Sequence, residues 1–66
     1  MEIIVNGEKK LVNDNITILN YLKDKRLKPE NTIIEYNLQV LDKKLWAETI
    51  LNDGDRLEVL NFVGGG

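Results

Sequence analysis

Few residues in this sequence can do chemistry through their side chains. It contains no histidine and no cysteine. A Ser-His or Cys-His nucleophile therefore cannot be assembled, a disulfide framework has no partners, and a transition-metal site lacks its usual ligands. No nucleophile–base pair is apparent among the other side chains, so no catalytic and no metal-binding residue is assigned. Asp53-Gly54-Asp55 resembles a fragment of a calcium loop, but the other spaced oxygens and the late glutamate are missing, and a turn explains it better. What remains is the main chain of Val63-Gly64-Gly65-Gly66. Gly64 and Gly65 bend freely and carry no side chain, so they can thread a narrow slot in a partner enzyme. Gly66 would leave a terminal carboxyl carbon unhindered toward an attacking nucleophile. That is acyl chemistry. A glycine run alone is a weak signal, and a frayed or appended terminus fits it as well.

Such a segment needs a body to hold it. Sixty-six residues suffice for one domain. Hydrophobic residues make up 42% and charged residues 30%, a globular composition rather than a disordered one. The net charge of −2 argues against a general nucleic-acid partner. No apolar run approaches the roughly 20 residues that cross a bilayer, and residues 1–5 lack the basic start of a signal peptide. The absence of cysteine fits a reducing cytoplasm. The expectation is a cytoplasmic protein without a membrane partner.

Residues 2–6 read as a strand, stopped by Asn6-Gly7, a hairpin signal because both residues tolerate positive φ. A second strand over 8–12 returns along the first, and its charges place it at an edge. Met1, Ile3 and Val5 share one face, and Ile4 takes the other. Thr17 reads as a helix N-cap. The helix is expected from Ile18 to Lys25 or Arg26, with Ile18, Tyr21 and Leu22 on its apolar stripe and Lys28-Pro29 ending it. A third strand over 32–37 puts Ile34 and Tyr36 on one face and Ile33 and Glu35 on the other. A short strand over 38–41, a helical turn within 42–51 and a turn at 52–55 lead to a final strand over 56–62. A hairpin, one helix, then returning strands predict an α+β fold: a mixed sheet of four to five strands with the helix on one face and the first and last strands side by side and parallel. This is the ubiquitin-like β-grasp arrangement. The division is a domain over 1–63 and a flexible glycine tail over 64–66.

Leu57 and Val59 are expected to face inward. Leu60 and Phe62, with Ile4 and Ile33, fall on the face away from the helix, where they form a partner-docking surface unless the strand ends bury them locally. Trp46 is read as core packing or the cover of an open sheet edge rather than a stacking platform for a ligand. Lys23, Lys25, Arg26 and Lys28, and separately Lys9 and Lys10, are read as solvated basic surface, with steering of an acidic partner as the other use.

Several features occur together. The segment Leu45-Trp46-Ala47-Glu48-Thr49-Ile50-Leu51-Asn52-Asp53-Gly54-Asp55 is followed by a strand and then by Val63-Gly64-Gly65-Gly66. Residues 1–7 form an opening hairpin, Thr17-Ile18 opens the helix, and Asn37 follows the third strand. In this combination the chain resembles the thiamine-biosynthesis sulfur carriers, the ThiS family, along essentially its whole length. It departs at Asn37-Leu38, where members often have Asn-Gly, and at Asn20, where many have Glu. The resemblance implies a protein cosubstrate rather than an enzyme. An E1-like, ThiF-type adenylating enzyme would use ATP to activate the Gly66 carboxylate, and a persulfide donor would convert it to a thiocarboxylate. A ThiG-type thiazole synthase would then take the sulfur. No cofactor would be bound by the chain itself. Two other readings stay open: a carrier for molybdopterin synthesis, and a β-grasp interaction module without covalent chemistry.

Overall fold

The computed structural model describes residues 1–62. Its elements are β1 (Glu2–Val5), β2 (Glu8–Leu11), α1 (Ile18–Asp24), a 3-10 turn at Pro29–Asn31, β3 (Thr32–Tyr36), β4 (Gln39–Val40), a second 3-10 turn at Lys43–Leu45, and β5 (Arg56–Asn61). The five strands form one mixed sheet in the order β2-β1-β5-β3-β4. β5 lies between β1, to which it is parallel, and β3, to which it is antiparallel. The expected β-grasp topology is present, with β5 in the middle of the sheet. No helix among the described residues is long and apolar enough to cross a membrane.

Local chemistry explains the elements. Asn6 and Gly7 have φ of 51° and 83°, and Val5 pairs with Glu8, so β1 and β2 are joined by the primed turn that an Asn-Gly pair favours. Thr17 caps α1, its Oγ accepting the Asn20 N–H at 3.1 Å. The helix stops before proline can act on it. Arg26 is left-handed at φ 60°, and the Arg26 and Leu27 N–H groups donate to the Lys23 and Leu22 carbonyls, both at 2.9 Å. This is a Schellman closure with arginine where glycine is usual. Pro29 instead opens the first 3-10 turn, where its missing N–H costs nothing.

Every second residue of β1, β3 and β5 turns toward α1. Ile3, Val5, Ile34 and Leu57 meet Ile18, Tyr21 and Leu22 from the helix, and Trp46 and Leu51 close the core. The segment carrying these last two residues is stitched to the start of α1. Ile18 donates to the Thr49 carbonyl at 3.0 Å, Leu19 to the Trp46 carbonyl at 3.2 Å, and Leu51 to the Ile16 carbonyl at 2.9 Å. Trp46 is buried, and its indole N–H donates to the Leu41 carbonyl at 3.1 Å. It is core, one of the two uses read for it in the sequence, the other being the cover of an open sheet edge.

The turn from β3 to β4 is strained. Asn37 and Leu38 have φ of 49° and 74°, although Leu38 is a Cβ residue and 74% exposed. An L-residue in this region carries a steric penalty that glycine lacks. Leu38→Gly is expected to stabilise the domain by roughly 0.5 kcal/mol, net of glycine's greater freedom in the unfolded chain. Urea denaturation measures this, and a loss of stability would show that the leucine side chain holds a contact that outweighs the strain.

Candidate functional site

The candidate reactive segment, Gly64, Gly65 and Gly66, lies outside the described residues. The structure does show how the strand leading to it is held. β5 is gripped at both ends and on both sides. At its start, Ile4 donates to the Asp55 carbonyl and Asn6 to the Leu57 carbonyl, both at 2.9 Å. β1 ends at Val5, one rung before the backbone ladder could reach Val59. The Asn6 side chain continues it. Its Oδ1 accepts the Val59 N–H at 2.7 Å, and its Nδ2 donates to the Val59 carbonyl at 3.3 Å. A turn residue thus serves as a substitute strand.

A compact polar network fixes the entry to β5. Asp55 accepts the Tyr36 hydroxyl at 2.7 Å and the Asn52 N–H at 2.8 Å on Oδ2, and the Asn37 amide at 3.2 Å on Oδ1. The Asn37 Oδ1 takes the Arg56 N–H at 2.9 Å. Burial, and then the hydrogen bond and charge of Asp55, push the Tyr36 phenol above its ordinary pKa, so it stays a donor through neutral pH. Asp53 accepts the Glu2 N–H at 2.8 Å, and Gly54, at φ 85°, donates to the Glu2 carbonyl at 2.8 Å. These carboxylates bind the turn to the sheet.

At the far end, Asn61 donates to the Thr32 hydroxyl at 2.9 Å, and Thr32 donates onward to the Lys28 carbonyl at 2.7 Å. Phe62, the last residue described, donates its N–H to the Asn31 carbonyl at 2.7 Å. The backbone is therefore held to the point where the glycine-bearing segment begins. The strand so held is the middle one of the sheet.

The four candidate docking residues are not equivalent. Leu60 and Ile33 are direct cross-strand partners, exposed by 57% and 41%. Phe62 is 47% exposed and lines a separate hollow with Ile33, Thr32 and Trp46 at the edge of β3. Ile33 belongs to both surfaces. Ile4 shares the outer face but is half-buried, in register with Lys9 on one side and Arg56 on the other. Between Ile4 and the Ile33–Leu60 pair lie Glu35 and Glu58, opposite each other on β3 and β5. Neither Glu58 nor the bracing role of Asn6 is evident from the sequence. Both follow from strand register, and the Asn-Gly pair accounts for Asn6 as a turn residue without it. The basic residues Lys9, Lys10, Lys23, Lys25, Arg26 and Lys28 are exposed.

Comparison with known proteins gives a consistent pattern. The ThiS family matches residues 1–66. The sulfur carrier protein ThiS of Bacillus subtilis is 35% identical over 63 residues, 94% of this chain and 96% of that protein. A thiazole synthase of Paramagnetospirillum magneticum is 32% identical over 66 residues, all of this chain but only 20% of that protein. The chain thus spans about a fifth of the thiazole synthases that it matches. The crystal structure of the thiamine-biosynthesis protein ThiS of Geobacter metallireducens superposes with a TM-score of 0.84 at 30% identity, each chain being fully covered.

Proposed function

The chain belongs to the ThiS family of sulfur carriers, and from that premise we propose that its reactive group is the carboxylate of Gly66, modified by partner enzymes. The observation that supports this most is that the family match runs through residue 66, glycines included, beyond a strand held on both sides. Residues 1–63 act as the body, and residues 64–66 are the part handed over.

A carboxylate is a poor acyl donor, being anionic and without a good leaving group. In a ThiF-type enzyme, a Gly66 oxygen attacks the α-phosphorus of ATP, and pyrophosphate leaves. The acyl-adenylate now carries a leaving group. A persulfide sulfur attacks the acyl carbon and expels AMP. A thiol on a partner then attacks the resulting acyl disulfide, takes the donor sulfur into a disulfide, and releases the thiocarboxylate. That nucleophilic sulfur goes to a ThiG-type thiazole synthase for the thiazole ring of thiamine. ATP is held by the adenylating partner. The exchange takes place in the cytoplasm, and Ile33, Leu60, Phe62 and Ile4 form the face that meets these proteins.

Incubation with the adenylating enzyme, ATP and a persulfide source is expected to replace one oxygen of the chain by sulfur, read by intact mass and localised to Gly66 by fragmentation. An unchanged mass under conditions that convert a known carrier would exclude this chemistry.

A further inference from the structure

The outer sheet face carries a charge pattern that its own fold does not use. Strand register arranges it in rows. Lys9, Ile4 and Arg56 form one row. Glu58 and Glu35 form the next, with Val40 beyond Glu35 on β4. Leu60 and Ile33 form the last. Both glutamates are exposed, and among the described residues neither joins a salt bridge. Like charges directly opposite in an antiparallel pair repel, so the sheet alone gains nothing from this placement. The adjacent Asn6 side chain is turned to Val59, which both its amide atoms bond, and it makes no hydrogen bond to either glutamate. Asn6, Ile33, Glu35, Glu58, Val59 and Leu60 line one groove, in which two carboxylates lie beside apolar side chains.

Taking the sulfur-carrier reading as its premise, we infer that this groove receives a basic side chain, a guanidinium, from the docking surface of the adenylating partner, flanked by apolar groups that cover Ile33 and Leu60. Charge complementarity points to a cation. A planar fork with five donors can bridge two carboxylates on neighbouring strands, which an ammonium does less well. The groove includes Leu60, the penultimate residue of β5, which lies close in sequence to the glycines. The row of Lys9 and Arg56 then meets acidic or neutral surface on the same partner, which fixes one orientation.

The test is the double variant Glu35→Gln/Glu58→Gln, assayed with the adenylating enzyme of the same organism at several salt concentrations. The expected result is a rise in KM for the carrier of about tenfold or more, falling on KM rather than kcat, with a weaker salt dependence. The melting temperature is expected to hold or rise as the repulsion is removed. Unchanged KM and salt dependence would overturn the inference. So would a lower melting temperature, which would make the carboxylates structural, or wild-type self-association that the variant loses, which would make a second copy the occupant. If the wild type is not adenylated at all, the proposed chemistry fails instead. Direct titration of both proteins against the same enzyme without ATP then decides the groove, equal affinities counting against it.

Discussion

Removal of Gly65 and Gly66 is expected to leave the domain folded and reduce sulfur transfer by about a thousandfold or more. The truncated chain still has a carboxylate, so the loss is one of position. An extended residue spans at most about 3.6 Å, so the reactive carbon retreats by roughly 7 Å from where the adenylating enzyme presents ATP. Misplacement by only about 1 Å can cost a hundredfold in rate, and extra enzyme does not restore the reach. Stability should stay within about 0.5 kcal/mol, because the buried core is complete within Ile3 to Leu57 and the last strand is anchored through Asn61 and Phe62. Thermal melts and a sulfur-transfer assay on the same preparation separate the two effects. Loss of folding in the truncated chain would make the segment structural, and retained transfer would place the reactive group elsewhere.

Trp46→Ala should have the largest effect on folding. The residue is 2% exposed and is among the largest buried side chains. Truncating a buried aromatic costs about 3–5 kcal/mol. A domain of this size holds roughly 3–10 kcal/mol in total, so much of the variant population is expected to be unfolded at room temperature. Trp46→Phe divides the cost into parts. It keeps most of the packing but leaves the Leu41 carbonyl without its indole donor, a loss of about 1–3 kcal/mol. Circular dichroism during urea denaturation reads both, since the sole tryptophan is removed in each. If the alanine variant kept wild-type stability, Trp46 would be a cover over the sheet edge rather than part of the core.

The readable parts of this protein were those set by neighbours in the chain. Asn6-Gly7 specifies its turn because both residues accept positive φ, and Thr17 announces α1 because its hydroxyl reaches an N–H only three residues ahead. Alternation along β1, β3 and β5 gave the inward residues Ile3, Val5, Ile34 and Leu57. Strand and helix ends moved by a residue or two. Arg26 adopts a conformation its own type does not favour, imposed by the closing hydrogen bonds of α1.

What the sequence could not display was register. Glu35 and Glu58 become opposite only when β3 and β5 align, and nothing local to either strand sets that alignment. The same holds for Asn6 reaching Val59 across 53 positions. Of the candidate site, Gly64, Gly65 and Gly66 stand out in the sequence by what they lack, and they lie outside the described residues. The surface that would present them to a partner depends on which strands become neighbours.

The central place of β5 has a consequence for how the protein is made. A ribosome releases β1, β2, α1, β3 and β4 before the strand that belongs between β1 and β3. Until it emerges, the nascent chain holds a gap flanked by two unsatisfied strand edges, and it is most exposed to aggregation at that stage. Completion is late and depends on distant pairing, so folding is expected to be slow for so small a chain. It also orders events usefully: β5 must leave the exit tunnel and insert before the sheet is whole, so an unfinished body cannot offer its glycines from a settled scaffold.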